Sequence, residues 1–197
     1  MTPTHERTSS DDIDERRESE TMTEPITPAA VPDTIDAVAG LHGGDAIAVL
    51  RRARDKVLRH TQLSEAALFD PALPDLSLIE RLHAARLVAR QSNAHALAET
   101  YRARLLDAGA AAEDIARADA EAFDALAPRV GAILAHARLL ARSPVDARAA
   151  DLDALKSAGL TTPAIVALSQ LVAFVAYQLR VAAAAQALQA RAAQEAA

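Results

Sequence analysis

The sequence predicts an all-α protein. Apolar residues make up 51% of the 197 residues, whereas aromatic residues make up only 3%. Alanine and leucine dominate, and their helical spacing is interrupted by Gly, Pro and Ser residues that end helices. The length is sufficient for one hydrophobic core of ordinary size. We therefore expect a single helical domain over about residues 34–188.

The first 33 residues differ in composition from the rest of the chain. They contain nine acidic and three basic side chains, which accounts for the whole net charge of −6. Such a segment has too little apolar surface to fold, so we expect residues 1–33 to form a disordered acidic tail. Met22 begins Met-Thr-Glu-Pro and is a second candidate for the natural start of the chain.

Composition also excludes several classes of function. The charges beyond the tail are balanced, whereas a nucleic-acid binder has a basic excess, so no nucleic-acid partner is expected. The chain contains no cysteine, which excludes disulfides and thiol chemistry of its own. We find no signal-peptide pattern and no apolar run as long as a membrane span, and therefore expect a cytoplasmic protein. No cofactor is expected.

Three helical segments are predicted before residue 70. Thr34 opens a helical turn that ends at Gly40, and Asp45 caps a helix predicted to continue to about Arg59. A further helical turn is expected over residues 63–69, before two prolines.

A helical hairpin is predicted next. Ser77-Leu-Ile-Glu80 matches a capping box, in which the serine and glutamate side chains each satisfy a backbone N–H of the first turn. The helix that it starts should end near Arg90. After the break at residues 91–93, a second helix should run from His95 to Gly109.

The following segment is predicted to contain two more helices. Residues 113–126 are less apolar and are expected to form an exposed helix or an ordered connection. Pro128 then restarts a helix that ends near Ser143-Pro144. A short helix over residues 149–158 ends at Gly159.

The final helix is the most apolar segment of the chain. Pro163 suits a first helical position, and the helix should continue to about Leu188. From Ile165 to Ala176 its side chains are apolar on every face except at two positions, which predicts a central helix surrounded by protein. The apolar run is shorter than the roughly 20 residues of a membrane span. Residues 189–197 are expected to fray.

The last third of the chain resembles the carboxymuconolactone decarboxylase-like superfamily. The similarity lies in His136-Ala-Arg-Leu-Leu-Ala-Arg-Ser-Pro144, in Asp151 to Leu160 with its Ala-Gly-Leu end, and in the apolar helix closing with Arg180. More narrowly, the chain is similar to the alkylhydroperoxidase-related CMD-domain proteins. This resemblance implies an alkylhydroperoxidase D-like helical bundle, and members of the superfamily commonly form homo-oligomers.

The resemblance does not extend to the catalytic thiols. Peroxidase members carry a Glu, then a Cys-x-x-Cys that begins twelve residues later, with a His four residues beyond it. One thiolate attacks the peroxide, the other resolves it, and the Glu and His manage protons. The same spacing falls here on Glu80, Ser92, His95 and Glu99. Only the glutamate matches, so the thiol peroxidase mechanism is not expected.

Two functions follow, together with a third, simpler possibility. The leading hypothesis is a non-peroxidatic accessory or assembly subunit, a homo-oligomer that could also bind a small apolar ligand. The alternative is a cysteine-free decarboxylase, isomerase or hydrolase of a small organic acid, in which Glu80, His95 and Glu99 move protons and Arg180 holds a carboxylate. The third possibility is a helical interaction module without a pocket.

Each candidate residue also has a structural interpretation. Glu80 fits a capping box alone, and His95 and Glu99 fit an exposed helical pair. A metal bound there would need His83 or His136 as a further ligand, so no metal site is expected. Three candidates for substrate binding lie on the final helix, where they could instead hydrogen-bond to neighbouring helices or to a symmetry mate; they are Gln170, Tyr177 and Arg180.

Overall fold

The structure, a computed structural model, describes residues 33–195. Over this range it contains nine α-helices, two short 3₁₀ turns and no β-strand, so the predicted all-α class is confirmed. Apart from Asp33, the predicted acidic tail lies outside the described residues. The helices are α1 (Thr34–Ala39), α2 (Ala46–Arg52), α3 (Asp55–Leu68), α4 (Leu78–Gln91), α5 (His95–Asp107), α6 (Ala112–Asp119), α7 (Pro128–Arg142), α8 (Ala149–Ser157) and α9 (Thr162–Glu195).

The first three helices divide the chain differently from the prediction. The side chain of Asp33 caps α1, and Gly40 ends it in the left-handed conformation with φ of 68°. The predicted helix from Asp45 to about Arg59 is instead two helices, because the chain turns at Ala53 and Arg54. The turn expected at residues 63–69 is the end of α3.

Helix α4 lies at the centre of the fold. The predicted capping box is present at Ser77 and Glu80, with both reciprocal hydrogen bonds formed. Every residue from Glu80 to Ala89 is buried, and α4 packs against α5, α6, α7 and α9. The central helix is therefore α4, not the final helix.

The helices from α5 to α8 follow the predicted order. The hairpin forms with α5 starting at His95, and Gly109 adopts a φ of 85° after its end. The connection before α7 contains α6 and a 3₁₀ turn over Phe123–Ala125. Helix α7 begins at Pro128 as predicted. At Gly131 it approaches this turn so closely that a Cβ would lie 2.6 Å from the carbonyl oxygen of Phe123.

Helix α9 is longer and more exposed than predicted. It continues past Leu188 to Glu195, and it is long and apolar enough to cross a membrane by length and composition, a test that core helices of soluble proteins also pass. One side packs against α1, α4 and α7. The other side leaves Val166 50% and Tyr177 38% exposed. The expectation that protein surrounds this helix on all sides is therefore wrong for the described chain.

Two hydrophobic clusters hold the helices together. The main core joins α4, α5, α7 and the first half of α9. A smaller cluster joins α1 and α2 to the second half of α9, and its buried residues are Ile35, Ala39, Leu41, Ala48, Ala182 and Ala185. The long final helix therefore ties the small N-terminal helices to the central bundle.

Candidate functional site

Glu80 lies at the start of α4 in a network of hydrogen bonds. It is 8% exposed. Its Oε2 accepts the backbone N–H of Ser77 at 2.7 Å, and its Oε1 accepts from Nε of Arg129, also at 2.7 Å. Arg129 additionally donates to the carbonyl oxygens of Gly159, at 2.6 Å, and Asp75. We call these residues the Arg129 network.

The Arg129 network joins distant parts of the chain. It connects the start of α4, the start of α7 and the loop between α8 and α9. Thr161 extends it, since its hydroxyl donates to Oδ2 of Asp75 at 2.9 Å and accepts the N–H of Ala164 as the cap of α9. Both oxygens of Glu80 are thus engaged in charge-assisted bonds that orient helices.

His95 and Glu99 lie at the other end of the hairpin. His95 is exposed as the first residue of α5. The side chain of Glu99 is 65% exposed, with Oε1 3.3 Å from Nη1 of Arg86. Arg86 is buried and also forms two hydrogen bonds with the carboxylate of Asp119, at 3.0 and 2.8 Å. Asp119 is therefore the main ion-pair partner of Arg86, and Glu99 is a weaker one.

The three predicted acid–base residues do not converge. Glu80 lies in the first turn of α4 and His95 lies just beyond its last turn. With a rise of about 1.5 Å per residue, Glu80 and the last residue of α4 are roughly 16 Å apart along the helix axis. Glu99 lies between them, opposite Arg86. Their assignment as one acid–base site stays a prediction. The three side chains do not share a pocket in this geometry.

Buried polar residues that sequence patterns did not identify support the fold. Arg81 is 0% exposed and donates to four backbone carbonyl oxygens, including those of Leu68 at 2.6 Å and Asp70 at 2.8 Å. Gln178 is 2% exposed and donates to Oε2 of Glu65 at 2.8 Å. These bonds tie the C-terminal end of α3 to the start of α4 and to the middle of α9, which is a structural role. Arginine and glutamine on a helix ordinarily indicate an exposed face, so the pattern gave no signal.

Two buried histidines lie outside the predicted set. His83 and His136 are 3% and 5% exposed, respectively, and the Nδ1 of each has no hydrogen-bond partner among the described protein atoms. Burial lowers the pKa of both imidazoles, while nearby aspartates partly oppose this shift. Over residues 33–195, no group of three or more His, Asp or Glu side chains is placed to hold a metal ion.

A concave surface lies between α2, α3 and α9. We call it the α2–α3–α9 groove; its volume is about 310 Å³ and it is lined by Leu50, Arg51, Arg54, Val57, Leu58, Thr61, Tyr177 and Val181. A second, more open concavity continues beyond Val57, Thr61 and Tyr177, which line both. Of the predicted substrate-binding residues, only Tyr177 lines the groove. Gln170 and Arg180 are exposed elsewhere on α9.

Comparison with known proteins agrees with this architecture. No protein-family model and no curated protein matches the sequence. Among solved structures, the chain is similar to the alkylhydroperoxidase AhpD core of an uncharacterized peroxidase-related protein from Ralstonia eutropha JMP134. The TM-score is 0.51 at 20% sequence identity, covering 82% of this chain and 88% of that chain. This chain has the AhpD-like fold. The resemblance inferred from the sequence is thus confirmed for the fold, and at this identity for the fold alone.

The resemblance implies where the thiol motif would fall. Its spacing, counted from Glu80, would put the two cysteines at Ser92 and His95, and both of these residues lie at the exposed junction of α4 and α5. Neither side chain can form a disulfide or supply a thiolate. The chain therefore combines an AhpD-like fold with a junction that lacks the chemistry of a thiol peroxidase.

Proposed function

We propose that this chain is a non-peroxidatic member of the AhpD-like fold that serves as an accessory or assembly subunit. The observation that carries the proposal is the complete absence of cysteine. The resemblance implies that peroxidase members with this fold use a Cys-x-x-Cys pair, and a hydroxyl with an imidazole cannot replace it.

The surroundings of Glu80 favour the same role. Its carboxylate accepts from Arg129 and from the capping-box N–H, so its oxygens connect helices and do not face a substrate cavity. The alternative acid–base enzyme would need Glu80 and His95 at one reacting centre, but Glu80 lies in the first turn of α4 and His95 lies beyond its other end, at the start of α5.

We further propose that the partner is a second copy of this chain. Helix α9 exposes Val166, Gln170, Ala173, Tyr177 and Arg180, which are spaced alternately four and three residues apart. This spacing places them on one helix face, as at coiled-coil interfaces, and the face carries a single charge. A helix face of this kind favours burial against a symmetry mate.

Two measurements test the proposal. Purified protein supplied with a dithiol reductant should not turn over organic hydroperoxides, and light scattering should show an oligomer. Val166→Asp should shift the population to monomer, because it places a charge in the interface. The matched control is Val49→Asp, since Val49 is a helical valine of similar exposure, 53% against 50%, on α2. Thiol-dependent turnover or a monomeric wild-type chain would contradict the proposal.

A further inference from the structure

We propose that the α2–α3–α9 groove is a binding site for a small carboxylate with an apolar body, such as a medium-chain or aromatic acid. This inference rests on the groove itself; Tyr177 lies both at its edge and on the face of α9 proposed for assembly. The groove lies on the N-terminal helices, apart from the α4–α5 junction at which the thiol motif of the fold would fall.

Half of the residues that line the groove are apolar although the groove is open to solvent. Leu50 is 58% exposed and Val57 is 55% exposed, and both line the groove with the partly buried Leu58 and Val181. Exposed leucine and valine side chains gathered in one concavity favour the burial of an apolar ligand surface. Its volume of about 310 Å³ is near the lower limit for small-molecule pockets, which begin at about 300 Å³.

The two arginines of the groove differ in whether their charge is already paired with an acidic residue. Arg51 is held by Asp33, at 3.1 Å, and by Asp36, so its charge is compensated within the protein. Arg54 is exposed at the turn between α2 and α3, and no hydrogen bond or ion pair links its side chain to the described residues 33–195. A guanidinium beside apolar side chains recognises the carboxylate of an amphipathic ligand through paired N–H donors.

Polar contacts lie farther along the groove. The hydroxyl groups of Thr61 and Tyr177 are 3.3 Å apart, so each can bond to the other or to a ligand. Lys56 and His60 line the adjoining concavity and add basic groups. The arrangement therefore combines the charges of Arg54 and Lys56 with apolar lining side chains. This combination matches an anion with an apolar body better than a neutral or cationic ligand.

Calorimetric titration of the full chain with three probes tests the assignment. Octanoate carries the charge and the apolar body, octanol carries the body alone, and acetate carries the charge alone. We expect saturable binding of octanoate at one site per chain, roughly fivefold weaker binding of octanol, and no saturable binding of acetate. Absence of saturable octanoate binding, or equal affinity for octanoate and octanol, would overturn the proposal.

Substitutions test which residues of the groove bind the carboxylate and which contact the apolar body of the ligand. Arg54→Gln should weaken octanoate binding roughly fivefold while leaving octanol unchanged, because only the ion pair is lost. Val57→Glu should abolish octanoate binding by placing a like charge in the lining of the groove. Arg59→Gln is the matched control, since Arg59 is an exposed arginine of α3 outside the groove, and it should change affinity less than about twofold. Equal losses in Arg54→Gln and Arg59→Gln would refute a specific site.

Tyrosine fluorescence provides a second, local measurement. The chain has no tryptophan and two tyrosines, of which Tyr101 is 0% exposed in the core and Tyr177 lines the groove. In Tyr101→Phe, Tyr177 is therefore the single tyrosine. The emission of Tyr177 should change as octanoate is added, with the same dissociation constant that calorimetry gives. Binding heat without any change in Tyr177 emission would place the ligand elsewhere and overturn the assignment.

Discussion

At the scale of residues, the chain uses arginine to connect its helices. Arg129 joins Glu80 to the carbonyl oxygens of Gly159 and Asp75, and Arg81 gathers four carbonyl oxygens from the segments before α4. A planar guanidinium offers five donors in a fixed geometry, so one side chain can satisfy several chain ends at once. These arginines hold the helices together by hydrogen bonds and have no role in catalysis here.

Removal of Arg129 should reveal how much its network contributes. We expect Arg129→Gln to lower the free energy of unfolding by about 2 kcal/mol, because it leaves the carboxylate of Glu80, whose side chain is 11% exposed, without its charged partner. Urea denaturation measures the change. The control is Arg117→Gln, since Arg117 pairs with Glu113 and Asp114 at the surface and should cost less than about 1 kcal/mol. Equal losses in the two variants would contradict a special role for Arg129.

At the scale of elements, helix ends were predictable where the signal was local. Ser77 with Glu80, and Pro128, mark helix starts within a few residues, and both predictions are confirmed. The turn at Arg54 was missed because no Gly or Pro marks it. The Arg129 to Glu80 bond joins residues 49 positions apart, and no local pattern encodes such a pairing. The candidate site was therefore less predictable than the fold.

The close packing of α7 gives a test of helix position. Gly131→Ala should destabilise the protein by roughly 1–2 kcal/mol, because its Cβ would lie 2.6 Å from the backbone carbonyl oxygen of Phe123 and an overpacking cost of up to about 3 kcal/mol outweighs the helix preference for alanine of about 1 kcal/mol. Thermal unfolding measures the change. Gly43→Ala is the control, since nothing lies within 4 Å of the position that its new methyl group would take, and it should be nearly neutral. A stabilised Gly131→Ala variant would show that α7 and the turn are farther apart.

At the scale of the whole molecule, the burial of the final helix was the least predictable feature. Its alanines and valines fit either a buried or an exposed position, since alanine has little side chain to bury. The structure buries α4 more completely than α9, although α4 contains Glu80, Arg81, His83 and Arg86. Glu80, Arg81 and Arg86 find hydrogen-bond partners there, and polar side chains paired in this way can be buried as fully as apolar ones. Hydrophobicity alone therefore selected the wrong central helix.

The buried histidines should make the free energy of unfolding depend on pH. His83 and His136 have pKa values lowered from 6.5, with burial as the largest cause; Asp114, Asp119 and Asp151 oppose the shift, and Arg86 adds to it at His83. In the unfolded chain both imidazoles take up protons as pH falls through about 6.5, whereas the folded protein resists this. The free energy of unfolding should therefore be greatest above about pH 6.5 and decrease below it, by up to about 1.4 kcal/mol per pH unit for each histidine.

Urea denaturation between about pH 7.5 and 5.5 tests this dependence, because this range lies above the usual titration of carboxylates. The double variant His83→Gln with His136→Gln should be less sensitive to acid than the wild type, whatever its stability at neutral pH. The control carries His42→Gln and His60→Gln, both at exposed positions, and should keep the wild-type slope. If the first double variant kept that slope too, protonation of His83 and His136 would not be the source of acid sensitivity, and their imidazoles would have to be protonated equally in the folded and unfolded chains.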